Sequence, residues 1–159
     1  MNEPFQLEKT LWTDADFDMM SWHDSTIHGF CFDKEFKLYL DIDYIFRWVK
    51  TKSGKRFKFW ISACTLVFEN VYDFKMEEGN PSDLVILAIE RNNPKVPKNA
   101  EFIQKDIEYD WLIETLQGEM TFTSIGFKQY VRSPPILIST QMLELSLRGD
   151  ISFDTTMSK

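Results

Sequence analysis

Three features of the sequence predict a mainly β, antiparallel fold. The first is alternation: Phe36, Leu38, Leu40, Ile42, Tyr44, Phe46 and Trp48 share one parity, while Lys37, Tyr39, Asp41 and Asp43 share the other. A two-residue period over that length describes a long strand with one buried face. The second is the supply of wide, flat side chains. Fourteen Phe, five Trp and five Tyr in 159 residues are more than a disordered chain carries, and they suit strands. The third is that the strand-like segments follow one another through mostly short connections. Short connections favour antiparallel pairing, because a parallel pair needs a crossover of about a dozen residues or more. The expected architecture is an antiparallel sandwich or open barrel of about eight strands with one short N-terminal helix, in a single domain over residues 1–159.

In chain order, residues 1–12 read as a lead-in with Phe5, Leu7 and Trp12 as anchors. Thr13 before Asp14-Ala15-Asp16 is a helix start, because Thr can cap and the aspartates complement the positive end of the helix dipole. That helix is expected to end near Met20, burying Phe17 and Met20, three residues apart. Residues 26–32 form the next strand, with Gly29 marking a bulge or a close backbone approach. Asp33-Lys34 is a two-residue turn candidate, and the long alternating strand over 36–48 follows. Lys50 to Lys58 holds the one concentration of basic residues around Ser53-Gly54, which reads as a solvated hairpin tip. Residues 57–61 and 65–74 are two strand candidates separated by a bulge or break at Ser62-Ala63. Residues 77–81 are a turn, and residues 83–90 are apolar enough for a central strand or one covered on both sides. Residues 91–105 contain Asn92-Asn93-Pro94 and Val96-Pro97 and read as a loop. Residues 107–116 alternate, with Glu108, Asp110 and Glu114 on the polar side; residues 119–131 make a strand broken at Gly126; and residues 141–148 alternate again. Ser133-Pro134-Pro135 interrupts between them, and residues 155–159 form a frayed tail.

Twenty-five acidic residues against eighteen basic give a net charge of -7, which argues against a phosphate backbone as partner. Cys31 and Cys64 each lie in an apolar run and are expected to be buried free thiols. The sequence shows no signal-peptide pattern and no apolar run of the roughly 20 residues a membrane span needs. A soluble cytoplasmic protein without membrane association is therefore expected.

The stretch Ser21-Trp22-His23-Asp24-Ser25-Thr26-Ile27-His28 holds both histidines of the chain. With Asp41 and Asp43 it makes a set of the kind that can hold a transition metal. Yet His23 and His28 are five apart, on opposite faces of a strand, and converge only if Asp24-Ser25 turns or bulges. A junction lock accounts for the same residues: Asp24 closes the turn at the helix end, His23 bridges backbone groups, and Trp22 anchors the core with its indole N–H satisfied. Asp41 and Asp43 point together, away from the apolar face. Their spacing of about 7 Å falls within the range of glycoside chemistry, though exposed strands are commonly decorated this way. Ser21 and Ser25 flank His23-Asp24, but there is no nucleophile elbow, no P-loop and no dinucleotide glycine pattern. No catalytic residue, metal or cofactor is assigned.

Met20-Ser21-Trp22-His23-Asp24, Ile27-His28-Gly29-Phe30, Leu40-Asp41-Ile42-Asp43-Tyr44-Ile45 and Ala63-Cys64-Thr65-Leu66-Val67-Phe68-Glu69-Asn70-Val71 together resemble a family of small uncharacterised bacterial proteins. These in turn are similar to predicted immunity proteins of polymorphic toxin systems, which carry a Trp-Asp type motif near their start. The resemblance covers about the first half of the chain and brings no catalytic residues with it. It implies an acidic protein that binds and neutralises a cognate toxin, a basic protein partner suiting the charge. The candidate binding residues are Trp22, His23, Asp24, His28, Asp41 and Asp43. The alternative is a small β-fold enzyme or ligand-binding protein with its site near the Trp-His-Asp stretch.

Overall fold

The computed structural model describes residues 4–77, 79 and 84–157. Its elements in order are β1 (Leu11–Thr13), a 3-10 helix (Asp14–Met19), β2 (Ile27–Phe32), β3 (Leu38–Lys50), β4 (Phe57–Glu69), β5 (Tyr72–Glu77) and β6 (Ile86–Lys95). There follow α1 (Ala100–Ile103), β7 (Glu108–Thr115), β8 (Gly118–Ser124), β9 (Gly126–Val131), β10 (Ile136–Ile138) and α2 (Leu145–Arg148). The strands form two antiparallel sheets. One runs β1-β9-β4-β3-β2 with β10 beside the start of β4, and the other runs β5-β8-β7-β6. Neither sheet closes into a barrel.

The apolar parity of β3 sets the core. Leu38, Leu40, Ile42 and Tyr44 face the second sheet together with Leu66 and Phe68 of β4, and meet Trp111, Ile113, Met120 and Phe122. Phe68 is at the centre, edge-on to Trp111 and Phe122 at ring separations of 5.0 and 4.8 Å. Edge-to-face packing of this kind adds to area burial because the positive edge of one ring meets the negative face of the next. The two sheets are also stitched at one seam. Ile86 N donates to Ser25 O, Asp24 N to Ile86 O and Ile27 N to Leu84 O, so the Trp-His-Asp stretch runs along β6 before entering β2.

A third layer covers the outer face of the six-stranded sheet. Residues 139–154 lie across it as a strap. Leu143 packs with Ile45, Phe59 and Ile61. Thr65 Oγ1 donates to Asp154 O at 2.5 Å. Ile151 and Phe153 lie over Gly29, where an added Cβ would sit 3.3 Å from Ile151. Gly29 also adjoins a shift of register between β2 and β3, so it provides both the bulge and the close approach.

Several expected boundaries move. Residues 57–69 are one strand of 13 residues, without the break at Ser62-Ala63. Ser62 stays in the ladder because its hydroxyl donates to Ser133 O. The break falls instead at Asn70, where the backbone turns left-handed (φ 52). The first part of the expected loop over 91–105 continues β6, which is an edge strand and so tolerates Pro94. Residues 141–148 are not a strand but part of the strap, ending in the single turn of α2. The turn at Asp33 is longer than two residues: Asp33 accepts from Glu35 N and Lys37 N, with Phe36 left-handed at φ 62. A bulge between Ile45 and Arg47 carries Trp48 out of the buried parity of β3, to pair with Phe59. Glu108, expected on the polar side, is buried against the hydroxyl of Tyr72. Most of the turn expected over residues 77–81 and the last two residues of the tail lie outside the described residues. Both cysteines are free thiols; Cys64 is buried, and desolvation raises its pKa far above the ordinary thiol value.

Gly126 joins β8 to β9 at φ +144, and a Cβ there would fall 2.4 Å from the Asp14 carboxylate. Gly54, at φ +68, has open space around it. Gly126→Ala should therefore lose about 1–3 kcal/mol, on top of displacing Asp14, and Gly54→Ala only about 1 kcal/mol. Urea midpoints of the two variants check the ranking; equal losses would show that neither the backbone conformation nor the Asp14 contact at Gly126 sets the cost.

Candidate functional site

Asp41 and Asp43 lie two apart on β3 and so point to the same face of the sheet, as the alternation requires. That face is not exposed, as expected from the sequence, because the strap covers it and both aspartates are at 0% exposure. Two buried carboxylates need cations and hydrogen-bond donors to remain ionised. Arg148 meets both. Its Nη1 and Nη2 donate to the two oxygens of Asp41 at 2.7 and 2.6 Å, and its Nε donates to Asp43 Oδ1 at 3.0 Å. Arg132, just past the end of β9, places Nη2 2.9 Å from Asp41 Oδ1. Backbone donors complete the set: Leu143 N reaches Asp43 Oδ2 at 2.8 Å and Ser152 N reaches Asp41 Oδ2 at 2.9 Å. Every carboxylate oxygen is thus engaged, and three of the strap's residues supply the engagement.

Burial alone works against the charge on Arg148, but the hydrogen bonds and charges of Asp41 and Asp43 outweigh it and hold the guanidinium above its ordinary pKa. The planar fork of arginine suits this place, since one group spans two carboxylates on alternate residues. α2 is inverted for a surface turn: Leu145 and Leu147 are exposed and Arg148 is buried. The requirements of the two aspartates override the preference of leucine for the interior.

His28 belongs to the same cluster. It lies on β2 beside β3, and its Nε2 is 2.6 Å from Asp43 Oδ2. Asp24, left-handed at φ 67, accepts from Gln141 Nε2 at 2.8 Å, so the strap is tied to the Trp-His-Asp stretch as well. His23 is 56% exposed, with Nδ1 3.0 Å from Leu87 O across the seam between the sheets. The two histidines do not converge although Asp24 turns the chain, because His23 lies beside Asp24 and His28 binds Asp43. Trp22 faces the other way, into the core, where Nε1 donates to Gln129 Oε1 at 2.8 Å. Among the described residues no three His, Cys, Asp or Glu side chains are grouped to hold a metal ion. The structure therefore brings together His28, Asp41 and Asp43 directly and Asp24 through the strap, places His23 at the edge with Nε2 3.5 Å from Asp24 Oδ2, and leaves Trp22 apart. The cluster as a whole is a lock on residues 139–154 rather than a lined cavity.

The second surface with chemical character lies on the other sheet. The outer face of β5-β8-β7-β6 carries a shallow groove of about 530 Å³ lined by Asp73, Lys75, Asp110, Leu112, Glu119 and Thr121, among others. Register places Glu77 opposite Glu119, and Glu119 opposite Glu114, so three glutamates stand side by side across three strands. Like charges directly opposed destabilise a sheet. Asp73, Glu90 and Asp110 add to the row, against Lys75 and Lys95, and only Asp110 among these acids has an ion-pair partner among the described residues. The sequence shows the alternation that puts Asp110 and Glu114 on one face, but not the pairing that aligns Glu77 and Glu119 with them. Arg132 and Arg148 were also missed. Neither carries a local sign of its role, since Arg148 shares the polar parity of Glu144 and Ser146.

Removing Arg148 while leaving its partners buried should be costly. Arg148→Met should lose about 3–5 kcal/mol in guanidinium unfolding, with Arg148→Lys intermediate because it keeps the charge without the fork. Limited proteolysis should then cut between residues 139 and 154 of the Met variant well before the wild type. A loss below about 1 kcal/mol would show that the strap is held by its apolar contacts and not by this arginine.

No family model matches the chain, and neither the curated proteins nor the solved structures include a significant match to it.

Proposed function

We propose that the chain is a binding protein of the immunity type, which docks a basic protein partner on the outer face of β5-β8-β7-β6 and neutralises it. The observation that carries this reading is the row Glu77, Glu119, Glu114, which costs the free protein stability and lies on a face left open by the described residues. A partner presenting lysines or arginines relieves that repulsion on docking. The opposite face of the molecule is unsuited to the task, because the strap seals it and the charges beneath are matched internally. The groove is wide and shallow, which suits a convex protein surface better than a small substrate. The net charge of -7 adds long-range attraction for a basic partner and speeds the encounter.

The test is binding to a basic, toxin-like protein encoded beside the gene for this chain, by stopped-flow mixing. The triple variant Glu77→Lys, Glu114→Lys, Glu119→Lys should associate at least about tenfold more slowly than wild type, and the wild-type rate should fall steeply with salt. Equal rates for the two proteins, or a wild-type rate indifferent to salt, would rule this face out as the docking surface.

A further inference from the structure

The basic hairpin tip is the part of the molecule that neither the core nor the acidic face uses. Lys50, Lys52, Lys55, Arg56 and Lys58 are all exposed, and none has an ion-pair partner among the described residues. The tip runs beyond its neighbouring strands in the sheet, with Ser139, Thr140 and Gln141 of the strap beside Lys55, Arg56 and Lys58. β2 pairs with β3 only as far as Ile42, and β10 pairs with β4 only from Phe59 onward. Residues 49–50 and 57–58 are therefore paired only with each other, as a short two-stranded ribbon. The ribbon is stiffened by Trp48, whose ring meets Phe57 and Phe59 edge-on at 5.5 and 5.0 Å. Segregating five free cations in one projection of a chain with a net charge of -7 makes the molecule strongly dipolar.

From this we infer that the tip of one copy docks on the β5-β8-β7-β6 face of a second copy, where Glu119 lines the groove and Glu77 and Glu114 stand on either side of it, giving head-to-tail association. Three observations favour a second copy over other occupants. The tip is convex and about 10 Å across for two strands, while the groove spans a sheet of four strands, about 19 Å wide. Both charge patterns are present in the same chain: a cluster of free cations and a row of free carboxylates that make no ion pair with each other within one molecule. The overall negative charge opposes a nucleic acid at the tip, whereas it leaves the local attraction between tip and groove intact at short range. Because two different patches meet, the contact is heterologous and can repeat along a row of molecules. The inference rests on reading the β5-β8-β7-β6 face as a docking surface. It adds that the chain supplies a stand-in for its basic partner, which the partner must displace.

Sedimentation velocity of the full chain tests this at about 0.02 M and about 0.5 M salt, where screening lengths differ severalfold. The wild type should associate in a concentration-dependent way at low salt and be monomeric at high salt. A tip variant (Lys55→Ser, Arg56→Ser) and a face variant (Glu114→Gln, Glu119→Gln) should each associate at least tenfold more weakly alone. Mixed in equal amounts they should form a species no larger than a 1:1 pair, since one intact tip meets one intact groove. A wild type that stays monomeric at low salt overturns the inference, even if the same glutamates prove essential for a basic partner. So does association that survives in either variant, and so does tighter capture of an oligo-dT strand by the tip than of a second copy.

Discussion

The position of the strap, and with it the completeness of the six-stranded sheet, depends on neutralising Asp41 and Asp43. Without cations these two carboxylates could not remain under a layer of chain, since an isolated ion in such a place costs several kcal/mol. Arg148 and Arg132 supply the cations from 107 and 91 residues away in sequence. Once the arginine fork is fixed, Leu143, Ser152 and Asp154 fall into place around it through their own bonds to Asp43, Asp41 and Thr65. The apolar contacts of the strap are then made by residues already aligned, Leu143 over Phe59 and Ile61, Ile151 and Phe153 over Gly29. The charge network determines where the strap lies and the apolar contacts fill the space left.

The two faces of the molecule contrast in how they treat charge. Beneath the strap, each carboxylate oxygen is answered by a donor. On the four-stranded sheet, glutamates stand opposite glutamates without answer. Buried charges must be satisfied within the chain, whereas water screens exposed ones well enough for the protein to carry an unfavourable row. A surface that keeps such a row gives up some stability of its own, and in this molecule the row coincides with the face that no layer among the described residues covers.

Much of the fold was legible from local pattern. Period-two alternation placed β3 and β7, and the glycine in 26–32 marked a real bulge and close approach. Thr13 and the aspartates after it marked the helix start, where Thr13 and Asp16 form a capping box. Patterns that depend on partners distant in sequence were not legible. The parity of Asp41 and Asp43 was correct, but solvent was the expected neighbour, because nothing in residues 36–48 announces a strap from residues 139–154. The reading of 141–148 as a strand failed for the complementary reason: Leu143, Leu145 and Leu147 alternate, yet only Leu143 is buried, and Arg148 takes the inward place that a leucine would hold in an amphipathic element. Trp22 and Asp24 were singled out by composition and position, and each has a defined partner in Gln129 and Gln141, residues with no visible signal of their own.

The long separation between the aspartates and Arg148 also imposes a timetable on folding in the cell. Ribosomes add about 5–20 residues per second, so β3 is complete for at least several seconds before Arg148 is made. During that interval Asp41 and Asp43 cannot be covered at low cost, and the outer face of β3 and β4 stays hydrated whatever the state of the core. The carboxylates thus act as temporary gatekeepers on the nascent sheet, keeping Ile45, Phe59 and Ile61 beside them from sealing against a stranger until the chain's own cation arrives.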